Sequence, residues 1–124
     1  MGLPYRQLEV WRRSETVALR VHELASRGTW QRYLQDQVCR CAFSVPANIA
    51  EGNGRSTPLD YAVFVDRARG SLFELDSWLH SCHAMGLLSD ETYAELASEL
   101  EALSAMLLSL ARALRRSKTL PSRG

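Results

Sequence analysis

The sequence predicts an all-α protein, folded as an antiparallel up-down-up-down four-helix bundle. Three observations lead there. Apolar residues recur at spacings of three and four through four separate segments of roughly 20–27 residues. The joints between the segments are short and carry glycine, proline and helix-capping residues. No segment alternates with the two-residue period of a strand. A chain of 124 residues is long enough for one core and too short for two, so residues 1–124 are read as a single domain, with 1–5 and 117–124 as frayed tails.

The first helix is expected over residues 6–26. Val10, Val17 and Leu24 repeat every seven residues, and Trp11, Ser14, Ala18, Val21 and Ala25 fill out the same stripe. Gly28 closes it. The second helix is expected over residues 30–51, where Leu34, Val38, Cys41 or Ala42, Val45 and Ile49 keep the stripe straight through Pro46. Proline cannot donate to the carbonyl of Ala42, so a kinked but continuous helix is expected, with a break at Val45 as the alternative. Gly52 is expected as a left-handed cap, with Asn53 and Gly54 making the turn.

The third helix has the clearest start. Thr57 is the N-cap, Pro58 takes the first helical position and Asp60 is placed for a capping box. Tyr61, Phe64, Ala68, Leu72, Leu75, Leu79 and Cys82 make its apolar stripe, and Gly86 ends it. Ser89 caps the fourth helix, with Asp90 and Glu91 where the helix dipole favours acids. Leu96, Leu100, Leu103, Leu107, Leu110 and Leu114 form its core side, and Arg112, Arg115 and Arg116 sit at its C-terminal end.

Apolar residues make up 46% of the chain and charged residues 23%, the balance of an ordinary soluble domain. No apolar run approaches the ~18–20 residues of a membrane span, and charge appears too early for a secretory signal. Arg6 stands where a myristoylation site needs Ser or Thr. Together with three cysteines, an odd number, these features point to a cytoplasmic protein with reduced thiols and no membrane partner. Charge is unevenly spread. Residues 1–69 carry ten Arg against seven acids, residues 70–111 seven acids and no Lys or Arg, and residues 112–124 five bases and no acid.

Several tempting sites have plain readings. Cys39 and Cys41 point about 200° apart on a helix and cannot share a metal ion, Cys82 lies in a core stripe, and His80 with His83 make only two ligands. Neither a metal nor any other cofactor is expected. Glu51 and Asp60 are acids near a turn without an accompanying histidine, so no catalytic set is visible and no small-molecule substrate is evident. The stretch GNGRST lacks the lysine and spacing of a phosphate loop, and reads as a capped turn.

Gly70 is different, since glycine inside a helix costs ~1 kcal/mol relative to alanine. It falls on the outer side of the third helix with Val63, Asp66, Phe73 and Ser77, and the back of the fourth helix carries Ser98, Ala102, Ala105 and Ser109. Small residues at such spacing let another helix approach closely. Val63, Gly70, Phe73, Ser77, Ala102 and Ala105 are therefore candidate subunit contacts.

The stretches LEVW (8–11), QVCRCAFSVPANIAEGNGRS (37–56), ARGSLFEL (68–75) and MGLLS (85–89) resemble the four-helix-bundle proteins encoded in intervening sequences of bacterial 23S ribosomal RNA genes. The resemblance runs over residues 5–114. It places the family's motif on Gln37, Arg40, Ser44, Pro46, Asn48, Ile49, Glu51, Gly52 and Arg55, and on Ala68, Gly70, Ser71, Glu74 and Leu75. It implies a homopentamer of bundles. A related branch, the accessory variability proteins of diversity-generating retroelements, shares the pentamer and binds nucleic acid and a reverse transcriptase. This chain departs from the family pattern at Cys39, where a second arginine is usual, and at Arg32 and Tyr33, where Tyr and Gly are usual.

Antiparallel packing places Asn48 and Glu51 at one end of the bundle, within expected reach of Arg12, Arg13, Arg55 or Arg112. A carboxylate there needs partners, so Gln37, Arg40, Ser44, Pro46, Asn48, Glu51, Gly52 and Arg55 are read as a polar clasp around the kink and turn. Arg55, Arg112, Arg115 and Arg116 form a candidate positive patch for RNA or DNA, repeated around an oligomer. The expected function is a non-enzymatic, self-assembling scaffold or interaction module, with a nucleic-acid-binding accessory protein as the alternative.

Overall fold

The computed structural model describes residues 2–117, in which a 3-10 turn, Pro4–Gln7, precedes four α-helices. These are α1 (Glu9–Arg27), α2 (Arg32–Asn53), α3 (Pro58–Ala84) and α4 (Asp90–Arg116), and no strand occurs among the described residues. Cross-helix pairs fix the directions. Arg40 meets Glu74 while Ser44 meets Ser71, so numbers rise along α2 as they fall along α3. Asp66 with Arg115 and Arg69 with Ser104 show the same for α3 and α4, as Arg13 with Glu99 and Arg20 with Glu95 do for α1 and α4. The bundle is antiparallel at each of these seams.

The two N-caps act as read, although the Asp60 carboxylate makes no capping-box bond to Thr57 among the described residues. Thr57 Oγ1 accepts the Asp60 N–H at 3.1 Å, and Ser89 Oγ accepts the Thr92 N–H at 3.1 Å. Gly86 takes φ +78°, and the Leu87 N–H reaches back to the Cys82 carbonyl at 2.9 Å, closing α3 in a Schellman turn. The buried stripes meet in one core that includes Val21, Val38, Ile49, Leu75, Leu103 and Leu107.

Four expectations need correction. First, the N-terminal tail read over residues 1–5 ends in ordered structure, because Pro4 starts the 3-10 turn and the Tyr5 ring lies edge-on to Trp11 at 4.9 Å. Of the C-terminal tail, residues 117–124, only Ser117 falls among the described residues. Second, α2 runs over Arg32–Asn53 rather than residues 30–51, although it continues through Pro46 as expected. Third, Gly52 is not a left-handed cap. It lies inside α2, and among the described residues it is Gly86 that takes positive φ. A Cβ on Gly52 would stand 2.8 Å from Phe64 Cβ and 3.1 Å from the Tyr61 carbonyl oxygen, so glycine is required by the close approach of α3. Gly54 caps instead, donating to the Ala50 and Glu51 carbonyls at 3.3 and 3.2 Å. Fourth, the α4 stripe passes from Leu107 to buried Ala111, leaving Leu110 half-buried. A helix with 3.6 residues per turn drifts from a strict 4-3 alternation, and the core side drifts with it.

Candidate interaction surface

The motif residues lie along the seam between α2 and α3. Gln37 Oε1 accepts from Arg40 Nη2 at 2.9 Å, and the same nitrogen donates to Glu74 Oε2 at 2.9 Å. One turn on, Ser44 and Ser71 share a hydrogen bond of 2.8 Å, and Asn48 Nδ2 donates to the Ser44 carbonyl at 2.8 Å and to its hydroxyl at 3.0 Å. At the end of the seam, Asn53 Nδ2 donates to the Tyr61 hydroxyl at 3.3 Å, beside the Gly52 contact. These groups fasten two helices to each other. That gives most of the motif a structural role.

Of the four arginines expected within reach of Glu51, Arg55 alone pairs with it among the described residues. Glu51 pairs with Arg55 at 3.2 Å, one turn along the same helix, while Arg13 binds Glu99 and Arg12 donates to the carbonyls of Arg6 and Gln7. Arg112, the remaining expected partner, makes no ion pair among the described residues. Exposed pairs at this spacing contribute ~0.3 kcal/mol. The polar ladder over residues 37–48 lies earlier in α2, with Arg40 and Ser44 reaching α3.

Arg13 instead stitches the loosest seam, between α1 and α4. Its Nε and Nη2 donate to the two Glu99 carboxylate oxygens at 2.9 and 2.6 Å, a bidentate fork. The hydrogen bond from Arg13 holds the Glu99 carboxyl below its ordinary value of about 4.5, and Glu99 in turn pushes the Arg13 guanidinium up. A carboxylate lowered in the folded state adds stability above its unfolded pKa, and that share is lost as pH falls through the folded pKa. Thermal melts of wild type and Glu99→Gln should therefore differ most near neutrality. Their difference should shrink between about pH 6 and about pH 3, where carboxylates titrate. A constant difference over that range would count against this pairing. Glu74 is lowered in the same direction, by hydrogen bonds from Cys41, Trp78 and Arg40. Burial pushes Cys41 and Cys82 up to about 11 and raises Cys39, so all three thiols stay protonated at neutral pH. Among the described residues no three His, Cys, Asp or Glu side chains gather into a group able to hold a metal ion.

At the Glu51 end of the bundle, arginines gather around the first turns of α3. Arg115 is paired with Asp66, which pushes the guanidinium pKa up. Arg55 lies 4.4 Å from the Phe64 ring centre and Arg67 lies 4.8 Å from it, so two cations flank one aromatic ring. Arg112 and Arg116 are exposed and make no hydrogen bond or ion pair among the described residues. Of the four arginines expected in a positive patch, Arg55 and Arg115 thus carry acidic partners. Arg67 was missed by sequence reading, although it stands one helical turn after Phe64, the spacing at which such a stack forms.

Val63, Gly70, Phe73 and Ser77 make one row on the outside of α3. All four are exposed, with Val63 at 43% and Phe73 at 54%, large values for such side chains. Gly70 shares a recess with Asp66, Arg69 and Phe73, and a Cβ on it would meet nothing within 4 Å. A longer groove of about 420 Å³ runs between α3 and α4, floored by Leu72 and Leu100 and walled by Phe73, Ala97 and Ser104. Asp76 and Glu101 line it without an ion pair among the described residues. Arg69 lies 4.8 Å over the Phe73 ring and donates to Ser104 Oγ at 3.3 Å, both of them residues that wall the groove. The expected back of α4 divides. Ser98 faces this groove, Ala105 and Ser109 line a separate one beside α1, and Ala102 is half-buried.

The family model for the 23S rRNA-intervening sequence protein matches residues 6–109. The chain belongs to that family. A solved structure from Bacteroides thetaiotaomicron VPI-5482, a protein of unknown function from the S23 ribosomal protein family, matches it with a TM-score of 0.77. The two are 19% identical over 83% of this chain and 98% of that one, which establishes a common fold. No match was found among curated proteins. In this member of the 23S rRNA-intervening sequence family, Arg40, Ser44, Gly52, Ser71 and Glu74 of the motif lie where α2 meets α3. The exposed row on α3 shares Gly70 with the motif and otherwise lies around the helix from Ser71 and Glu74.

Proposed function

We propose that this protein is a non-enzymatic, cytoplasmic bundle that assembles with copies of itself, as a pentamer, and serves as a scaffold or interaction module. The observation that carries the proposal is Phe73, more than half exposed beside a glycine that leaves its own helix surface bare. A large aromatic ring left in water forgoes burial, and a recess beside it gives a neighbouring helix room to approach. A five-fold ring needs a contact between two different faces that closes on itself. Phe73→Glu puts a charge in that contact without touching the core, and should reduce the light-scattering mass to the 14.0 kDa of one chain. A Phe73→Glu variant as large as wild type would remove the α3 face from the interface.

A second reading, binding of RNA or DNA, is supported by exposed Arg112 and Arg116 on the last turn of α4, which Arg115 ties to Asp66 on α3, and by the Arg55–Phe64–Arg67 stack. Phosphate contacts release counterions, so affinity in gel shifts should fall steeply with salt and weaken further in Arg112→Ala/Arg116→Ala. Absence of any shift at low salt, with structured RNA and with duplex DNA, would dismiss this reading.

A further inference from the structure

The outer side of the α1–α2 seam holds a recess of about 280 Å³ that neither reading uses. Tyr5, Trp11 and Phe43 line it, Pro46, Ala47 and Ala50 form its α2 side, and Glu15 contributes a carboxylate. Local structure builds it. Pro46, Ala47 and Ala50 bring little bulk to that side of α2. The 3-10 turn folds back across the seam, held by the Arg12 guanidinium donating to the Arg6 and Gln7 carbonyls at 3.3 and 3.0 Å. That places Tyr5 edge-on to Trp11 at 4.9 Å.

Glu15 is half-buried and makes no hydrogen bond or ion pair among the described residues. The cations nearest it in sequence are already engaged, Arg12 on the turn carbonyls and Arg13 on Glu99 and Glu9. A half-buried carboxylate without a cation, set among three aromatic rings, favours a positively charged guest with a flat or apolar body. We propose that this recess binds an arginine side chain of a partner protein, its guanidinium on the Glu15 carboxylate and its plane against the aromatic wall. Arginine fits better than lysine because its planar fork stacks on rings and grips a carboxylate through two N–H groups. The chain itself uses that chemistry elsewhere, with Arg55 and Arg67 on Phe64 and Arg69 on Phe73. The site lies on a different face from the α3 row, so it stands or falls independently of self-assembly.

The test is an NMR titration of the full chain, observing the indole N–H signals of Trp11, Trp30 and Trp78. The probe is the capped tripeptide Gly-Arg-Gly, with citrulline and trimethyllysine counterparts. The arginine peptide should move the Trp11 signal saturably with a Kd in the millimolar range, leaving Trp30 and Trp78 in place. Glu15→Gln should weaken it by about tenfold, the loss of one charge-assisted bidentate contact. Unmoved Trp30 and Trp78 signals in that variant report an intact fold. The proposal is overturned by no Trp11 shift at about 20 mM peptide, or by unchanged affinity in Glu15→Gln. Equal binding of the citrulline peptide, or tighter binding of the trimethyllysine peptide, also overturns it.

Discussion

Gly52→Ala should destabilise the protein by about 2 kcal/mol, and Gly52→Val by about 3 kcal/mol, although both substitutions replace a glycine inside a helix. In an ordinary helical position the change to alanine gains ~1 kcal/mol. Here the new Cβ would stand 2.8 Å from Phe64 Cβ, 3.0 Å from Tyr61 Cδ1 and 3.1 Å from the Tyr61 carbonyl oxygen. None of these is the free end of a flexible side chain, so α2 and α3 must separate to admit it. Gly70 supplies the opposite case, because its Cβ would meet nothing within 4 Å. Gly70→Ala should stabilise the folded chain by about 0.5–1 kcal/mol. Urea denaturation in a Phe73→Glu background keeps assembly out of the comparison. Two stabilising substitutions would contradict the close α2–α3 approach.

Leu107→Ala should cost about 3 kcal/mol, since Leu107 is wholly buried and the bundle around it can close only part of the cavity. Leu110→Ala should cost about 1 kcal/mol, because Leu110 packs against the core from a half-exposed position. A strict alternation of four and three would make these two leucines equivalent. Equal losses in urea titrations of the two variants would restore that alternation and rule out the drift to Ala111.

The fold was legible because its signals are local. Thr57, Ser89 and Gly86 each act within a single turn of backbone, and the stripes of α1 and α3 need only helical periodicity. Gly52 was misread because Gly-Asn-Gly at a helix end suits a left-handed cap, and spacing alone does not reveal another helix lying against it. Arg55 was among the partners expected for Glu51 and is the one it meets, while Arg12, Arg13 and Arg112 were set beside it for a related reason. Which arginine a carboxylate meets depends on how each helix is rotated about its axis, and α1 turns Arg13 toward Glu99. The 3-10 turn at Pro4–Gln7 has no periodicity to announce it, so the aromatic recess that it completes was not visible either. The row from Val63 to Ser77 was visible, since opposite sides of a long helix follow from 100° steps.

The most direct measurement of self-assembly is light scattering on the wild-type chain as it leaves a gel-filtration column at micromolar concentration. One chain weighs 14.0 kDa, and a closed five-fold ring predicts about five times that mass, roughly 70 kDa. A single species at the mass of one chain would contradict the account.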